Sequence, residues 1–423
     1  MELKAGYKQT EVGVIPEDWS NFSLGHVAAS RSNAIVGGPF GSDLVSRDYV
    51  PTGVPVVRGQ NMSRHYVSGD FVFVSNVKAK KLQSNFARPR DIIFTQRGTL
   101  GQVSIVPDEP FSCYVVSQSQ MKVSLNTSLA IPEYIYQFFI SAKGQRQVLD
   151  SAIQTGVPHT NLGILRSYRV PFPPTITEQN AIADALSDTD ELIESLEKLL
   201  TKKRQIKQGA LQEFLTGQRR LLGFMGEWSF KSLGECLLAS PDYGINAPAV
   251  NYLDRLPAYI RITDITDDGR FAPAPLVSVI HPSAENYYLK EGDLVFARTG
   301  ASVGKSYLYK ACDGALVFAG FLIRVRPDME VLDSRFLSYL VQTNAYWDWV
   351  KLMSMRSGQP GINGKEFSQL PLSIPPLAEQ FAISSFISEM ESEVFAIETK
   401  LQKARHLKQG MMQELLTGRI RLV

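Results

Sequence analysis

Two arginines that each follow a short apolar run carry side chains well suited to reading the edges of DNA bases. Arg58 is followed three residues later by Asn61, and Arg261 is followed at the same spacing by Asp264. An arginine can grip guanine through two hydrogen bonds, an asparagine can grip adenine, and a carboxylate can accept from the amino group of cytosine. We therefore predict base contacts from both pairs, with Thr263 included in the second. An ion pair inside the domain is the alternative for Arg261 and Asp264.

A second pattern, a glycine-rich turn after an Asp-x-x-Phe strand, contains residue types that bind phosphate. The two turns are residues 96–101 and 298–305. Glycine lets a backbone approach a phosphate closely, and basic or hydroxyl side chains can donate to its oxygens. The DNA contacts predicted in these turns are Arg97, Gly98, Thr99, Arg298, Thr299, Ser302 and Lys305. A plain hairpin with surface arginines uses the same residues and stays open as the alternative.

A third pattern is a loop with small, aromatic and polar residues near the start of each half of the chain. Such a loop could insert into a DNA groove, although a tight surface turn needs the same residues. The predicted contacts here are Gly38, Phe40, Gly41 and Ser42 in the first half and Tyr243 and Asn246 in the second. His159, at the end of a Thr-Gly-Val-Pro-His sequence, completes the set of predicted DNA contacts.

Motifs for catalysis and nucleotide binding are missing from the sequence. A P-loop needs four residues between its first glycine and Gly-Lys-Ser, whereas only three separate Gly300 from Gly304. No Asp/Asn-Pro-Pro-Tyr/Phe motif, cofactor loop opening a helix, or nuclease pattern of paired carboxylates with lysine is present. The three cysteines and five histidines show no zinc-ligand spacing. We therefore predict a non-catalytic protein with no metal site.

The sequence elements that must position these loops occur twice along the chain. Residues 207–217 read KQGALQEFLTG, and residues 408–418, which lie 201 positions further on, read KQGMMQELLTG. A Trp-x3-Ser-Leu-Gly pattern, the Asp-x-x-Phe strand, Thr-Gly-Val-Pro against Ser-Gly-Gln-Pro, and a Pro-Pro pair before Glu-Gln recur in the same order. Ordered recurrence of this kind indicates duplication of one structural unit.

Two proline-free stretches of about forty residues are each predicted to form one long helix. Thr175 with Glu178 suits a capping box, and Gly217 and Gly418 suit left-handed helix ends. The apolar stripes of the two helices share one register, which predicts an antiparallel coiled coil. The alternative is that each helix packs on its own domain. The residues predicted for the helix-pair or partner interface are Ile193, Leu196, Leu200, Ile206, Phe214, Val394, Ile397, Leu401, Leu407, Met411 and Leu415.

The predicted fold is α+β, with two tandem mixed domains separated by the two long helices and related by an approximate two-fold axis. The domains are residues 1–170 and 218–372, where β-branched and aromatic runs alternate with helical stretches. Residues 171–217 and 373–423 hold the helices. A helix of forty residues is ~60 Å long, so the pair would hold the domains somewhat under two turns of B-DNA apart.

Composition limits the possible functions further. The 423 residues are 44% hydrophobic and 20% charged, as in globular proteins with a substantial core. No apolar run reaches the ~20 residues that a membrane helix needs, and no secretory signal is visible, so we expect a cytoplasmic protein. The net charge is only +2. Because a sequence-independent DNA binder would be more basic, local contacts or a partner's charge would have to supply much of the affinity.

The whole chain resembles the specificity subunit of type I restriction–modification systems. The resemblance rests on Gly-x-Ile-Pro-x-x-Trp at residues 13–19, Thr-Gly-x-Pro-His at residues 155–159, and the duplicated Pro-Pro…Glu-Gln and Leu-Thr-Gly ends of the helices. It implies two target-recognition domains, each reading one half of a split, asymmetric DNA sequence, with the helices setting the gap. The second Pro-Pro…Glu-Gln is one residue shorter than the first, and the opening motif is degenerate in the second copy, which leaves the domain boundaries open by several residues.

The resemblance also implies partners. Two methyltransferase subunits would dock on the helices, with restriction and translocase subunits beyond them. Adenine methylation and ATP-driven cleavage, with their S-adenosylmethionine, ATP and Mg, would belong to those partners, and this chain would hold no cofactor. Two other classes stay open: a coiled-coil scaffold or adapter that binds only proteins, and a single-chain modification enzyme, which would need a cofactor loop that the sequence lacks.

Overall fold

The computed structural model describes residues 5–154, 156–355 and 359–422. It divides into two compact units: the first unit comprises Met1–Glu197 and Lys400–Val423, and the second comprises Lys198–Thr399. Each unit therefore combines one mixed α/β region with a section of both long helices. Thr155, Ser357 and Gly358, which belong to a repeated sequence motif, lie outside the described residues.

The first unit contains two main sheets. Its strands are β1 (Tyr7–Thr10), β2 (Gly13–Pro16), β3 (Ser20–Ser23), β4 (Ile35–Gly37), β5 (Tyr49–Val50), β6 (Val54–Val57), β7 (Val72–Val74), β8 (Phe86–Ala87), β9 (Ile92–Thr95), β10 (Val103–Ile105), β11 (Tyr114–Val116), β12 (Gln120–Val123) and β13 (Arg169–Phe172). An antiparallel sheet has the order β10-β9-β12-β4. A mixed sheet has the order β5-β7-β6-β11-β8, and β6 and β11 run parallel in it.

Short helices cover these sheets and the first long helix follows them. They are α1 (Leu24–Val27), α2 (Asn76–Lys81), α3 (Pro132–Ile140), α4 (Ala142–Asp150) and α5 (Leu162–Ser167), and the long helix is α6 (Ile176–Leu215). Helix α3 buries aromatic side chains, including Tyr134, Phe138 and Phe139, in the same core as β9 and β12. This apolar packing fixes the antiparallel sheet against the helices.

The second unit repeats this strand order. Its strands are β14 (Ser229–Ser232), β15 (Asp242–Tyr243), β16 (Ala249–Asn251), β17 (Ala258–Ile260), β18 (Val277–Val279), β19 (Leu294–Ala297), β20 (Ser306–Leu308), β21 (Leu316–Phe318), β22 (Leu322–Val325) and β23 (Pro371–Ile374). Its helices are α7 (Ser334–Leu340), α8 (Asn344–Met353), α9 (Gly364–Phe367) and α10 (Leu377–Leu415). One sheet has the order β20-β19-β22-β15, which corresponds to β10-β9-β12-β4 of the first unit. The other sheet, β16-β18-β17-β21, corresponds to β5-β7-β6-β11 and pairs β17 and β21 in parallel.

The aspartate of each Asp-x-x-Phe strand has a structural role. Asp91 accepts a hydrogen bond from the Arg88 amide and lies 3.2 Å from the ammonium of Lys122 on β12. The second unit places Asp293 at 3.6 Å from Arg324 on β22. Burial lowers the pKa of Lys122, and the nearby Asp91 carboxylate offsets part of that effect. The repeated motif therefore supplies a buried countercharge for the neighbouring strand.

The two long helices pack together in the first unit. Lys408 Nζ lies 2.5 Å from Asp190 Oδ1, and Arg405 Nη2 lies 2.5 Å from Glu197 Oε1. Because the position on α10 falls as the position on α6 rises, the helices run antiparallel. Their apolar contact includes Leu415, which is buried.

The second unit repeats this pairing with the other sections of the helices. Lys207 Nζ lies 2.6 Å from Glu391 Oε1 and Lys203 Nζ lies 2.6 Å from Glu393 Oε2, again in antiparallel order. The rings of Phe214 and Phe386 meet edge to face with centroids 5.4 Å apart. The predicted fold class, with two mixed domains and an antiparallel helix pair, is confirmed.

Most of the positions predicted for the helix-pair or partner interface are inside or at the edge of the packed stripe, and the other two are exposed. Leu200, Phe214, Ile397, Leu401 and Leu415 are buried, and Ile193, Leu196, Val394 and Met411 are partly buried. Ile206 and Leu407 are exposed and so do not pack between the helices of their own units. A helix with 3.6 residues per turn drifts away from a 3.5-residue stripe, which turns positions at the edge of the stripe outward.

An arginine beyond each long helix closes its unit. Gly418 ends α10 with a φ of +68°, and Arg421 then donates through Nε and Nη2 to the buried carboxylate of Glu178. Its Nη1 also lies 3.0 Å from Asp18 Oδ2, and its guanidinium stacks 5.9 Å from the Trp19 ring centroid. This arrangement explains why tryptophan, Glu-Gln and Leu-Thr-Gly recur together.

The second unit closes in the same way. Arg220, the third residue after Gly217, donates to the buried Glu379 and stacks 5.7 Å from the Trp228 ring centroid. Only half of the capping box predicted at the start of α6 is present, since Thr175 Oγ1 accepts from the Glu178 amide at 3.1 Å while the Glu178 side chain binds Arg421.

An aromatic stack holds one histidine of the first unit beside α6. The His65 ring lies between Tyr66 and Tyr136, with centroid distances of 4.4 and 4.1 Å. Its Nε2 is buried and has no hydrogen-bond partner among the described residues. Burial lowers the pKa of His65 below its ordinary value of 6.5, because the stack removes water that would solvate an imidazolium.

Among the described residues, no helix is both long enough and apolar enough to span a membrane.

Candidate DNA interface

The loops that follow β6 and β11 of the first unit lie at one edge of the mixed sheet. The two strands run parallel, so their carboxyl ends meet. The Ser117 amide donates to the Val57 carbonyl at 3.1 Å, which places the Arg58 loop beside the link between β11 and β12. Two of the sequence patterns predicted to contact DNA are built around this edge.

Asn61 caps its own loop and is not available to a base edge in this structure. Its side chain is buried, and its Oδ1 accepts from the Arg58 amide at 3.1 Å. Its Nδ2 donates to the carbonyls of Ser68 and Asp70 at 3.1 and 3.0 Å. The predicted base contact from Asn61 is therefore corrected to a structural role, because burial and three internal hydrogen bonds occupy the amide.

Arg58 differs from Asn61, because one nitrogen of its guanidinium is buried without a partner. The Arg58 Nε is buried and has no hydrogen-bond partner among the described residues. A buried donor without an acceptor is costly, and an incoming acceptor would relieve that cost. Arg58 therefore stays a candidate base contact.

The glycine loop after β4 lies against the same link. A Cβ on Gly38 would stand 1.9 Å from the Ser117 carbonyl oxygen, so only glycine allows this approach. Gln118 Nε2 then donates to the Gly41 carbonyl at 2.6 Å and fixes the loop beyond it. Phe40 at the loop tip is 78% exposed, and Ser42 is exposed beside it.

The arginine turn of the first unit joins the same surface. The Gln96 amide donates to the Ser119 carbonyl at 2.7 Å, and the Gln96 carbonyl accepts from the Thr160 amide at 2.9 Å. Arg97 pairs through its backbone with His159. The side chains of Arg97 and Thr99 are exposed, as is the backbone at Gly98, which has a φ of +99°. The structure thus brings together the loops of Gly38, Arg58, Arg97 and His159.

In the second unit, Arg261 and Asp264 form the ion pair that was the structural alternative. Arg261 Nε lies 3.0 Å from Asp264 Oδ2, and its Nη2 lies 2.7 Å from Oδ1. Asp264 is buried, accepts also from the Arg261 amide at 2.9 Å, and raises the pKa of Arg261 through these hydrogen bonds. The predicted base contact from Asp264 is therefore corrected. Thr263 beside it is exposed.

Tyr243 and Arg298 meet at the corresponding edge of the second unit. The Arg298 guanidinium stacks 4.9 Å from the centroid of the Tyr243 ring, and the Tyr243 hydroxyl accepts from the Gly364 amide at 2.9 Å. The Arg298 carbonyl accepts from Ile362, and Thr299 pairs through its backbone with Gly361. The turn and the segment around residues 360–364 therefore form one surface.

The remaining predicted residues of the second unit lie around this surface and differ in exposure and in charge pairing. Asn246 is exposed, and Ser302 is half-buried. Lys305 lies 2.6 Å from the exposed carboxylate of Asp267, so its charge is already partly matched. A surface pair of this kind is weak and can exchange for a phosphate contact.

Sequence reasoning missed one prominent residue of the second unit, Phe321. It occupies the link between β21 and β22, and its ring is 57% exposed. Its carbonyl accepts from the Arg298 amide at 3.0 Å, which places it directly beside the predicted turn. The available indication was a glycine and a phenylalanine between two apolar strands, but that pattern also describes an ordinary buried run.

Comparison with known proteins identifies the class to which this architecture belongs. A family model described as the type I restriction modification DNA specificity domain matches residues 16–208 and 245–404. These segments make up most of the chain, and the chain belongs to this family. Its resemblance to specificity subunits and its role in DNA recognition are thereby confirmed.

Individual relatives agree along nearly the whole length. The putative type I restriction enzyme MjaX specificity subunit of Methanocaldococcus jannaschii is 21% identical over 98% of this chain and 97% of its own. The type I restriction enzyme StySPI specificity subunit of Salmonella potsdam is 23% identical over 97% of this chain and 90% of its own.

Solved structures support the fold. The S subunit of a type I restriction–modification system from M. genitalium aligns over 98% of both chains, with a TM-score of 0.62 and 14% identity. A chain from a structural study of complex assembly and conformational transition in a type I R-M system aligns over 96% of this chain and 99% of its own. Its TM-score is 0.53 and its identity 18%.

Proposed function

We propose that each unit of this specificity subunit reads one half of a bipartite, asymmetric DNA sequence. The observation that carries the proposal is that both units build the same loop frame from different side chains. The first presents Arg58, whose buried Nε has no partner in the described part of the chain, whereas the second pairs Arg261 with Asp264 and presents Arg298 stacked on Tyr243. A shared frame with different polar groups suits two readers of different base sequences.

The recognition domains in this proposal are residues 1–170 and 218–372, and the spacers are residues 171–217 and 373–423. The antiparallel helix pair would set the gap between the half-sites, since its length is fixed by the number of helical turns. The exposed apolar residues Ile206 and Leu407 support a second use of the helices, as docking surfaces for methyltransferase subunits.

Catalysis would then belong to partners in the cytoplasm. Two methyltransferase subunits would use S-adenosylmethionine to methylate adenine, and restriction and translocase subunits would use ATP and Mg. This chain would direct them to their DNA target. The net charge of +2 supports this division, since a partner would supply much of the non-specific phosphate attraction.

The test is DNA binding by the full chain purified with its co-expressed methyltransferase subunits. Labelled duplexes that carry the target should bind more tightly than scrambled duplexes, and affinity should fall as salt rises. A complex that binds its protein partners but shows no salt-dependent DNA affinity would indicate a scaffold. Tight S-adenosylmethionine binding by the chain alone would indicate a modification enzyme.

A further inference from the structure

Each unit has an exposed phenylalanine beside the same loop-and-link junction, although the two residues come from different segments that are not equivalent. Phe40 of the first unit belongs to the loop after β4, and Phe321 of the second belongs to the link between β21 and β22. Their rings are 78% and 57% exposed. A single exposed phenylalanine is ordinary on a protein surface, but an exposed phenylalanine beside the corresponding junction of both units indicates a use.

The shared position follows from matching contacts between loop and link. In the first unit, the Gly38 amide donates to Gln120 at 3.0 Å, and a Cβ on Gly38 would clash with the Ser117 carbonyl. In the second unit, a Cβ on Gly244 would stand 2.2 Å from the Phe318 carbonyl, and the Gly320 amide donates to Ile245 at 2.6 Å. Each phenylalanine therefore lies at the loop-and-link junction of its own unit.

The backbone beneath each ring is fixed. Gln118 Nε2 donates to the carbonyls of Gly41 and Leu44 at 2.6 and 3.0 Å, immediately beyond Phe40. The Phe321 carbonyl accepts from Arg298. Neither ring belongs to an apolar core cluster or an aromatic pair of the described residues. An exposed ring on a fixed backbone is positioned to contact a molecule outside the unit.

The surroundings of Phe40 indicate what it meets. Leu44, in the same loop, packs in one cluster with Ala79 of helix α2, whose Lys80 and Lys81 side chains are exposed. An apolar ring on a loop that shares its core cluster with a lysine-bearing helix suits DNA, where bases lie between negatively charged phosphate backbones. In the second unit, the cationic residue Arg298 adjoins Phe321 through its backbone amide, and its guanidinium lies over the Tyr243 ring.

We propose that Phe40 and Phe321 are wedge residues that each insert between two base pairs of the half-site read by their own unit. A phenyl ring cannot donate or accept the hydrogen bonds that distinguish base edges, but it can enter a step that unstacks easily. Pyrimidine–purine steps unstack at least cost, so the wedge would select sequence through DNA deformability. This inference rests on the proposed reading of one half-site by each unit.

The test uses the full chain in complex with its methyltransferase subunits and a duplex carrying the target mapped by adenine methylation. 2-Aminopurine is placed at successive positions of each half-site, because its fluorescence rises when a base unstacks. Besides the target adenine, which a methyltransferase extrudes from the duplex by itself, the wild-type complex should raise the fluorescence at one further step in each half-site. Phe40→Ala should abolish the rise in one half only, and Phe321→Ala in the other.

Affinity measurements on the same variants and on a control variant provide a second test. Each alanine variant should bind about 5- to 150-fold more weakly, the range expected for loss of one aromatic–base contact. Phe40→Leu should retain part of the unstacking. Phe230→Ala, which removes a phenylalanine that is 86% exposed on β14, should leave both half-sites unchanged.

The possible failures are distinct. Tight, sequence-specific binding without unstacking in the wild-type complex would overturn the wedge and leave the proposed function standing. The same conclusion would follow if replacing thymine by uracil reproduced the loss seen with Phe40→Ala, because the ring would then contact a methyl group. A complex that bound no duplex would overturn both proposals.

Discussion

Replacement of Arg58 should weaken binding to one half-site without destabilising the protein. The Nε of Arg58 is buried and has no hydrogen-bond partner among the described residues, so removing the side chain breaks no hydrogen bond at that atom. We expect the free energy of unfolding to change by less than about 1 kcal/mol. If the guanidinium grips guanine through two hydrogen bonds, Arg58→Ala should cost ~1–3 kcal/mol of binding, or roughly 5- to 150-fold.

Arg261 provides the contrasting variant. Arg261→Ala would leave the buried Asp264 carboxylate without its countercharge, with only the residue 261 amide and the Thr263 hydroxyl still donating to it. Breaking a buried pair costs ~3–5 kcal/mol, and the partly exposed guanidinium places this pair near the low end. We therefore expect Arg261→Ala to lower the stability of the second unit, an effect that Arg58→Ala should not show.

The assay is fluorescence anisotropy of the chain with its methyltransferase subunits, at several salt concentrations. Duplexes altered at each position of both half-sites are compared for wild type, Arg58→Ala and Arg58→Lys. Base reading predicts relaxed discrimination at one position of one half-site. Equal weakening on all duplexes, with the salt slope reduced by about 1, would show a phosphate contact and refute the base-reading argument.

Three further predictions address the spacer, a titrating group and the closing ion pairs. Deleting one matched turn within residues 193–200 and 394–401 should change the tolerated gap by about one or two base pairs, because a turn rises ~5.4 Å. Altered half-sites with an unchanged gap, mapped by adenine methylation, would contradict the spacer role. Because burial lowers the pKa of His65, the unfolded chain takes up this proton first, so stability should fall as pH drops below 6.5. The charges of Asp190, Glu133 and Lys408 also act on this ring. His65→Phe should flatten that part of the urea-midpoint profile, and an unchanged profile would exclude His65 as its source. Arg421→Met should lower the free energy of unfolding by about 3 kcal/mol, since it leaves Glu178 buried and unpaired. Arg419→Met, which breaks an exposed pair with Glu414, should cost less than about 1 kcal/mol by urea denaturation, and equal losses would contradict the closing role.

The long helices could be predicted because duplication exposed them. A stripe repeated at a 201-residue offset, with a glycine after each helix, fixes helix identity and register without any knowledge of contacts. The structure adds the reason for the repeated ends: Arg421 and Arg220 each bind a buried glutamate at the start of the other helix. That pairing joins residues far apart in sequence, so no local pattern indicated it.

The loops of the candidate site could be predicted from the sequence, but the roles of their side chains could not. An arginine followed three residues later by Asn or Asp describes a base reader and a capped turn equally well. Asn61 and Asp264 are caps because their side chains turn inward, which only burial reveals. Phe321 was missed for the converse reason, since an apolar residue between two buried strands gives no indication that it faces solvent.

The most direct test of the account is the sequencing of methylated adenines in a host that carries this chain and its partner subunits. The account predicts one bipartite, asymmetric motif that disappears when this chain is deleted. Exchanging residues 1–170 for those of a relative should then change one half of the motif and leave the other half and the gap unchanged. A motif independent of this chain, or an exchange that altered both halves, would contradict the assignment of one half-site to each unit.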